Sequence, residues 1–456
     1  MARDRDDAVG RWPHHQSLRA WLARQDEAEE LIRINRQVNT EFEIAGLLRL
    51  LDGQGPVLFE SVAGSALRVV GSSAPNRAAF AAAADVPVDG LLERYMRAEQ
   101  EPRPLAQVVD APVFEHTETD GLASLPIPTH HELDAGAYIS AGVVLARDPD
   151  TGATNCSINR LQVVAARELR ALVLPGRLSD ILARCDERAQ PLEVAVLIGV
   201  DPLLHLASQA STGPDMDELQ VASALRATPL PVAHGKTVDL PIPADTEIVI
   251  EGHVLPGERR PEGPFGEYPR TYGPAAPGRV IEVRAIHRRH DAIFQTILSG
   301  GREHFLIGGI AREARLLKAL RRLNRRVVGV RLTEGGSCRT HAVVSVDQPR
   351  PGEVANLILA AFTQQSILKL VTVVDSDVDI FDDEDVEWAC SSRFQAQRDL
   401  LVVPNARGSS LDPSTDNGVT SKMGMDATIP PDSDRARYAR MRIPNLEGLR
   451  LEDYLR

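Results

Sequence analysis

The pattern of apolar and polar residues divides the 456-residue chain into three regions. Up to about residue 100, apolar residues recur at helical spacing, as at Leu47 and Leu51, between short stretches that alternate like strands. Thr40 and Glu43 fit the two ends of a capping box, which predicts a helix that starts after Thr40. The first 15 or so residues are charged and predict a disordered tail. This region is therefore predicted to be an N-terminal α+β domain over residues 1–104.

A second region begins after Pro102 and Pro104, where the pattern changes to short strands separated by Gly and Pro turns. The candidate strands are Ala141–Arg147, Ser157–Ala165, Val194–Gly199, Glu247–Glu251, Val280–His287 and Ala292–Ile297. Many short strands with regularly spaced turns are typical of a barrel or a sandwich. The sequence therefore predicts a β domain over residues 105–299.

In a third region, from about Gly300, helices and strands alternate. Helical patterns at Ile310–Leu323 and Glu353–Phe362 are interleaved with strand patterns at Arg326–Leu332, Ala342–Val346 and Leu368–Val374. This alternation predicts an open sheet covered by helices, and so a C-terminal α/β domain over residues 300–456. From Gly408 onward the chain is rich in Pro, Gly and charge, and we expect it to wrap another domain or a partner subunit.

The composition excludes several classes of protein. Apolar residues make up 43% of the chain and charged residues 25%, as in soluble globular proteins. No apolar run is long enough to span a bilayer, and no apolar segment follows the charged N-terminus, so we expect neither a membrane anchor nor a signal peptide. The net charge of −13 argues against nucleic acid or an anionic membrane as partner. The four cysteines are scattered, which favours reduced thiols in the cytoplasm over disulfides or structural zinc.

The segment from Glu262 to Glu267, Glu-Gly-Pro-Phe-Gly-Glu, is the first candidate for chemistry. In an unbroken strand, residues five apart point to opposite faces, because side chains alternate with period two. Gly and Pro break the strand and let the backbone turn, so both carboxylates can face one cleft, as acid–base chemistry requires. A charged surface turn is the alternative.

A second candidate is the segment from Asn155 to Arg160, Asn-Cys-Ser-Ile-Asn-Arg. An arginine in such a strand pattern ordinarily lies on the solvent face. Placed between Glu262 and Glu267, its guanidinium would pair with both acids and hold a substrate carboxylate in bidentate geometry. Two neighbouring carboxylates raise at least one pKa, whereas the arginine opposes that effect. This balance can leave one acid protonated and ready to donate.

Taken together, these segments resemble the UbiD-type decarboxylases, which use prenylated flavin mononucleotide (FMN). The resemblance extends from about Leu125 to Thr428. It also rests on the segments Leu125-Pro126-Ile127-Pro128, Val374-Asp375-Ser376-Asp377-Val378-Asp379 and Ser421-Lys422-Met423-Gly424-Met425-Asp426-Ala427-Thr428. It implies that the central domain is a split β-barrel of the flavin-reductase type.

The resemblance also implies roles for the three charged residues. Glu267, which closes the loop, would be the proton donor, and Glu262 would orient Arg160. The implied reaction is the reversible, non-oxidative decarboxylation of an α,β-unsaturated or aromatic acid, for example in natural-product biosynthesis. The flavin would be prenylated by a separate flavin prenyltransferase, and the protein would form a homodimer or a larger homo-oligomer.

The resemblance further implies a set of residues that bind the cofactor. These are Asn155, Ile158, Asn159, Arg160, Leu172, Val173, Leu174, Arg177, Glu218 and Lys369. In the family, a divalent metal, manganese or magnesium, is held against the flavin phosphate by Asn, His and Glu, and Asn155 and Glu218 match two of these ligands. Gly176 stands where the family has the histidine. Water would fill the gap, or the metal would be weakly bound or absent, with Arg177 taking more of the phosphate charge.

Two other interpretations remain open. The glycine at position 176 favours a flavin-binding carrier or assembly subunit without decarboxylase activity. An ordinary flavin reductase is disfavoured, because hydride transfer needs no paired acids around Arg160. Among other residues, His130 and His131 are expected in a loop, and His304 is either structural or part of the substrate pocket. The acidic residues Asp375, Asp377 and Asp379 more plausibly end a strand and cap a helix than bind metal.

Overall fold

The computed structural model describes residues 16–211, 213 and 216–455, apart from the side chain of Glu447. The tail predicted for residues 1–15 lies outside the described residues.

The N-terminal region contains both helices and strands, as predicted. Its elements are α1 (Leu18–Glu27), β1 (Ile32–Ile34), α2 (Glu43–Leu50), β2 (Val57–Phe59), β3 (Arg68–Gly71), α3 (Arg77–Ala83) and α4 (Leu91–Gln100). Ser17 caps α1, since its hydroxyl accepts a hydrogen bond from the Ala20 N–H at 3.2 Å. A turn that contains Pro87 separates α3 from α4.

The capping box predicted at Thr40 is wrong. The helix begins later, at Glu43, and the Glu43 carboxylate accepts from the Asn39 N–H at 2.9 Å. Backbone hydrogen bonds join residues 40 and 42 to Thr129: the Thr129 N–H donates to the Thr40 carbonyl, and the Phe42 N–H donates to the Thr129 carbonyl. This long-range pairing keeps the segment out of the helix.

The central region is built mainly from strands. Its elements are β4 (Ala106–Gln107), β5 (His116–Thr117), β6 (Tyr138–Ile139), β7 (Val143–Arg147), β8 (Thr154–Ile158), β9 (Leu161–Ala165), β10 (Glu168–Ala171), α5 (Arg177–Glu187), β11 (Leu192–Ile198), α6 (Pro202–Ala207), α7 (Glu218–Arg226), β12 (Pro231–His234), β13 (Pro241–Pro243), β14 (Ile248–Glu262), β15 (Phe265–Gly266), β16 (Tyr272–Gly273), β17 (Ala276–Arg288) and β18 (Ile293–Thr296).

Nine of these strands form one large sheet, in the order β6-β9-β10-β17-β14-β11-β7-β8, with β5 added beside β17. The single strand predicted over Ser157–Ala165 is in fact two strands, β8 and β9, which lie near opposite ends of this order. Only Asn159 and Arg160 connect them, so the two strands approach to within about 11 Å at that point. The sheet must therefore curve until its ends meet at Arg160. Among the described strands the pairing does not close, and the split barrel remains a prediction.

Smaller sheets complete the central region. Strand β18 joins the N-terminal strands in a four-stranded sheet, β1-β2-β3-β18, in which β18 and β3 are parallel. Strands β13, β12 and β4 form a three-stranded sheet, and β15 pairs with β16. The β15–β16 pair lies directly after the end of β14, where the two candidate glutamates are found.

The C-terminal region alternates between helices and strands, as predicted. Its elements are α8 (Arg302–Leu323), β19 (Val327–Leu332), β20 (His341–Val346), α9 (Glu353–Gln364), β21 (Leu370–Asp375), α10 (Asp383–Arg393), α11 (Ala396–Asp399), β22 (Leu400–Arg407) and β23 (Val419–Ala427). The strands form an open sheet in the order β19-β20-β21-β23-β22. The long helix α8 packs against α4 of the N-terminal region, α6 of the central region, and α9 and β19 of the C-terminal region, and so connects the three regions. The mixed α/β character expected for the whole chain is confirmed.

No helix within the described residues is long and apolar enough to cross a membrane. All four cysteines, each in the described part of the chain, are free thiols, and three of them are buried.

Candidate active site

Arg160 forms ion pairs with both candidate glutamates. Its Nε donates to Glu262 Oε1 at 3.0 Å, and its Nη2 donates to Glu262 Oε2 at 2.6 Å. Its Nη1 donates to Glu267 Oε1. Three of the five guanidinium N–H groups are therefore directed at carboxylates, and two remain for another ligand. The ring of Phe265 lies 5.3 Å from the guanidinium carbon and covers one side of this group.

The local backbone explains how the three residues meet. Arg160 lies in the two-residue connection between β8 and β9, and Glu262 is the last residue of β14. Gly263 then has φ +88°, a left-handed conformation that favours glycine. A Cβ at this position would also lie 3.2 Å from the Pro274 carbonyl oxygen and 3.4 Å from Arg160 Nη2. The turn therefore favours glycine, and a side chain here would also crowd the Pro274 carbonyl oxygen.

The two glutamates differ in their surroundings. The Glu262 side chain is fully buried, whereas the Glu267 side chain keeps 13% of its surface exposed. Burial raises the pKa of Glu267, and the charge of Arg160 opposes this rise without cancelling it. The chain therefore holds at this point a carboxyl group that retains its proton to a higher pH than an ordinary glutamate.

Arg160 and Glu267 open onto a cavity of about 460 Å³, which is within the size range of cofactor sites. Nine residues that the sequence assigned to cofactor binding line it: Asn155, Ile158, Asn159, Arg160, Leu172, Val173, Leu174, Arg177 and Glu218. They come from strand β8, the β8–β9 connection, the segment after β10 and the first turns of α5 and α7. The tertiary fold thus brings together residues up to 63 positions apart, from 155 to 218.

Lys369, the tenth residue, is not part of this lining. Its ammonium group pairs with Asp412 Oδ2 at 2.9 Å and donates to Ser414. Glu262 also does not line the cavity, since it lies behind Arg160.

At one end of the cavity lie the residues that the resemblance assigns to a metal. Glu218 Oε2 accepts from the Cys156 N–H at 3.0 Å, and Arg177 Nη1 lies 3.3 Å from Glu218 Oε1. Gly176 has no side chain to contribute. No group of three His, Cys, Asp or Glu residues is arranged for a metal in the described part of the chain. The residues therefore do not fit the three-ligand metal site of the resemblance.

Similarity to known proteins agrees with this geometry. Family models of the N-terminal, Rift-related and C-terminal domains of 3-octaprenyl-4-hydroxybenzoate carboxy-lyase match residues 22–99, 105–302 and 305–427. The chain belongs to the UbiD family. Anhydromevalonate phosphate decarboxylase of Methanothermobacter thermautotrophicus is 37% identical over 403 residues, which cover 88% of this chain and 95% of that protein.

Solved structures of UbiD-class enzymes are also similar. HmfF from Pelotomaculum thermopropionicum, in complex with FMN, superposes with a TM-score of 0.95 at 49% identity, over 96% of this chain and 100% of HmfF. An evolved dimeric form of HmfF with prFMN gives a TM-score of 0.90 at 46% identity over the same shares. A 3,4-dihydroxybenzoic acid decarboxylase from Enterobacter cloacae gives 0.89 at 28% identity, over 95% of this chain and 98% of that enzyme. This UbiD chain is a decarboxylase, and the two HmfF structures to which it is similar contain FMN and prFMN.

Other residues of this UbiD chain that sequence reasoning considered have structural partners. His130 is buried and its Nε2 is 2.9 Å from Thr296 Oγ1. Asp375 and Asp377 do not form a metal cluster, because both pair with Arg393, at 3.1 and 2.7 Å. Asp382 caps α10.

Among the charged residues that line the cavity, two were not predicted from the sequence, Arg312 and Arg339. Arg312 follows His304 on α8 at a spacing of eight residues, a helical repeat that would have been a usable signal. Arg339 follows the turn Gly335-Gly336-Ser337-Cys338, and no local pattern marks it. His304 lines the cavity, which agrees with one of its two predicted roles.

Proposed function

We propose that this chain catalyses the reversible, non-oxidative decarboxylation of an α,β-unsaturated or aromatic carboxylic acid, with prenylated FMN as cofactor. The observation that carries the proposal is the pairing of Arg160 with both Glu262 and Glu267 at the wall of a cavity of cofactor size. A carrier protein does not need a buried arginine bracketed by two acids.

The cavity lining suits a flavin. Apolar side chains of Ile158, Leu172 and Val173 supply contact for a flat ring system, and Arg177 supplies positive charge for a phosphate. Arg160 and Asn159 supply hydrogen-bond donors at the other end. When it is bound, the prenylated flavin supplies the electron sink for cleavage of the carbon–carbon bond.

Arg160 binds the carboxylate that is lost. Its two remaining N–H groups, one on Nη1 and one on Nη2, are available as donors to that carboxylate. Glu262 fixes the plane of the guanidinium through its own two-point contact, so its role is positioning. A substrate held in this way has its reacting carbon at a fixed place relative to Glu267.

Glu267 donates the proton that replaces carbon dioxide. Its raised pKa favours the protonated form of the carboxyl group, and Arg160 stabilises the carboxylate that remains after transfer. In the reverse direction the same carboxylate accepts the proton. Because Glu267 keeps some exposure to the cavity, it can regain a proton from water between turnovers.

Among the predicted parts of the site, the metal site has the least support from the residues present. Asn155 and Glu218 provide oxygen donors, which suit manganese or magnesium, but the imidazole is missing at Gly176. We propose that Arg177 neutralises part of the phosphate charge in place of the full metal site.

We also propose that the protein is a homodimer or larger, that it is cytoplasmic, and that a flavin prenyltransferase supplies its cofactor. The exposed edge strand β22 and the C-terminal segment carry Leu400, Val402, Met441, Ile443 and Leu451, all exposed, which we call the C-terminal apolar surface. Exposed apolar side chains on a sheet edge favour pairing with a second copy. The four free thiols support a reducing compartment.

A flavin-binding subunit without decarboxylase activity is the competing candidate, and Gly176 is the observation that favours it. To test the proposal, the full-length protein is produced with a flavin prenyltransferase and its ligand is identified by mass spectrometry. It is then incubated with unsaturated and aromatic acids, and carbon dioxide is measured. Prenylated FMN with carbon dioxide release supports the enzyme. Bound flavin without turnover of any acid, under conditions where a known UbiD decarboxylase is active, supports the subunit.

A further inference from the structure

The wall of the cavity formed by α8 and the turn before β20 carries a second group of donors. His304 and Arg312 come from α8, and Arg339 comes from the turn. Residues 304, 308 and 312 are spaced by four and so lie along one face of the helix. We call His304, Arg312 and Arg339 the distal cluster. None of its members has a role in the mechanism above.

The fold makes room for this cluster at Gly308. A Cβ at position 308 would lie 2.6 Å from Arg339 Nη2, so the guanidinium rests on the helix where a side chain is absent, between His304 and Arg312. At Gly309 a Cβ would lie 2.7 Å from the Cβ of Cys338. Glycine weakens a helix relative to alanine, yet two successive glycines in α8 let the turn approach. Arg339 is thereby buried against the helix.

The two arginines have no carboxylate partner in the described part of the chain. Arg160 pairs with Glu262 and Glu267, and Arg177 pairs with Glu218. Arg339, in contrast, donates hydrogen bonds among the described residues only to the carbonyl oxygens of residues 304, 305 and 337, at 3.3–3.5 Å. These are long contacts for hydrogen bonds. Among the described residues Arg312 Nε is buried without a hydrogen-bond partner.

The pKa values of the two arginines agree with the absence of a paired carboxylate. Burial, and then the positive charges of Arg339 and Arg315, lower the pKa of Arg312 to about 9. Burial also lowers the pKa of Arg339. Both guanidinium groups still remain protonated at neutral pH. The charge of Glu267 attracts Arg339, but no carboxylate is paired directly with either guanidinium in the described part of the chain. Two neighbouring cations, one buried and one half-buried, are unfavourable without a paired anion, and an anionic ligand would relieve this.

His304 is arranged as a neutral donor. Its Nδ1 accepts from the Gly300 N–H at 3.2 Å, so the proton of the neutral ring is on Nε2. Burial, and then the charge of Arg339, lower the pKa of His304 to about 3, which keeps the ring neutral at physiological pH. The distal cluster therefore offers two cations and one uncharged N–H.

The cluster is not at the predicted phosphate end of the cavity. That end is formed by Arg177, Glu218 and Asn155, on α5, α7 and β8. Arg339 instead packs over the ring of Tyr268, with 5.3 Å between the guanidinium carbon and the ring centre, and Tyr268 directly follows the proton donor Glu267. The distal cluster thus lies on the side where a substrate held by Arg160 would extend.

We propose that the substrate carries a second anionic group, a carboxylate or a phosphate, which Arg312 and Arg339 bind with charge-assisted hydrogen bonds while His304 Nε2 donates a further one. This inference rests on the proposed function, in that Arg160 takes the carboxylate that is lost. It names the substrate class as a dianionic acid.

The test compares three acids that differ only in the remote group: cinnamate, 4-carboxycinnamate and the phosphate ester of 4-hydroxycinnamate. Each is titrated by calorimetry into full-length protein loaded with FMN, and each is assayed for carbon dioxide release with the prenylated cofactor. At least one dianion should bind roughly ten- to a hundredfold more tightly than cinnamate, as one charge-assisted contact allows. The pair of dianions shows whether the site prefers a carboxylate or a phosphate.

Variants connect this preference to the cluster. Arg312→Gln should remove most of the preference for the dianion and leave the affinity for cinnamate within about twofold. Arg322→Gln, which removes an exposed arginine from the same helix, is the matched control and should change neither affinity. Gly308→Ala should also weaken dianion binding, since the new methyl group displaces Arg339. Circular dichroism verifies that each variant is folded.

The outcomes separate the two proposals. A dianion preference that depends on Arg312 but is accompanied by no carbon dioxide release would overturn the decarboxylase mechanism and leave the distal anion site standing. Equal affinity for cinnamate and both dianions, or equal effects of Arg312→Gln and Arg322→Gln, would overturn the distal anion site whether or not the enzyme turns over.

Discussion

Arg160 and Glu262 form a two-point ion pair in which both carboxylate oxygens accept from the same guanidinium, at 3.0 and 2.6 Å. Glu262 is fully buried, and its side chain has no exposed surface. The ion pair thus fixes the orientation of the Arg160 guanidinium from the side away from the cavity. Glu267 and the cavity lie on the other side of the guanidinium.

This relationship predicts the effect of removing the charge of Glu262. In Glu262→Gln, Arg160 loses its two-point partner and tilts, which should lower kcat/KM by about a hundredfold, largely through a higher KM. Steady-state kinetics on the enzyme loaded with prenylated flavin measure this change in kcat/KM. The matched control is Glu168→Gln on β10, whose half-buried carboxylate pairs with Arg170 and Arg260 outside the cavity and should change kcat/KM little. Equal losses in the two variants would contradict the positioning role.

The raised pKa of Glu267 predicts how the kcat of decarboxylation depends on pH. Because burial raises its pKa, the fold favours the protonated form, and this is the form that donates the proton in the proposed mechanism. Decarboxylation should therefore be fastest below the folded-state pKa of Glu267, and kcat should fall as the pH rises through that value. Turnover in heavy water should place deuterium on the carbon that lost carbon dioxide.

Substitution of the same residue provides the control for that profile. Glu267→Gln cannot donate an acidic proton, so kcat should fall by at least about a hundredfold at every pH and the decline should disappear. Flavin absorbance verifies that the cofactor is still bound. If the variant kept the wild-type profile, another group would be the proton donor.

The vacancy at position 176 can be filled. Gly176 has φ 161°, which is extended backbone, and no atom lies within 4 Å of a Cβ placed there. Gly176→His should therefore fit without strain and add an imidazole to Asn155 and Glu218. We expect manganese affinity to increase at least about tenfold, since even outer-shell partners change metal affinity tenfold or more. Calorimetry with manganese alone measures the change.

Two comparisons make this experiment decisive. Gly176→Ala adds a side chain without a donor and should leave manganese affinity unchanged. Treatment with a chelator should affect the activity of Gly176→His more than that of the natural chain. Manganese binding by the natural chain as tight as that of Gly176→His would show that the imidazole is not what limits the site.

The C-terminal apolar surface predicts self-association. Val402 on the edge strand β22 is 56% exposed, and Val402→Asp should weaken the dimer by roughly tenfold or more. Sedimentation velocity over a range of protein concentrations measures the dissociation. Leu50→Asp changes an apolar residue on α2 that is 75% exposed and lies outside this surface, and it should leave the dimer intact. A natural chain that sediments as a monomer at all concentrations would refute the proposed dimer.

Local features of the fold were predictable from the sequence. Ser17 and Asp382 cap helices by accepting from N–H groups two or three residues onward, so the neighbouring residues alone determine these contacts. The Gly263-Pro264 turn that brings Glu262 and Glu267 to one side follows in the same way from the conformational preferences of glycine and proline. Thr40 did not follow its local pattern, because strand-like pairing with Thr129 outweighs a helix cap.

The sequence alone determined the order of helices and strands, the pair of glutamates joined by a turn, and the missing histidine at position 176. These depend on residues close together in the chain. Only the tertiary structure decided that the single predicted strand divides at Arg160, that Lys369 pairs with Asp412 outside the cavity, and that Arg339 rests on Gly308 beside Arg312. Such contacts join residues tens of positions apart. Their energies come from burial and charge pairing, which become defined only when the packed elements exclude water.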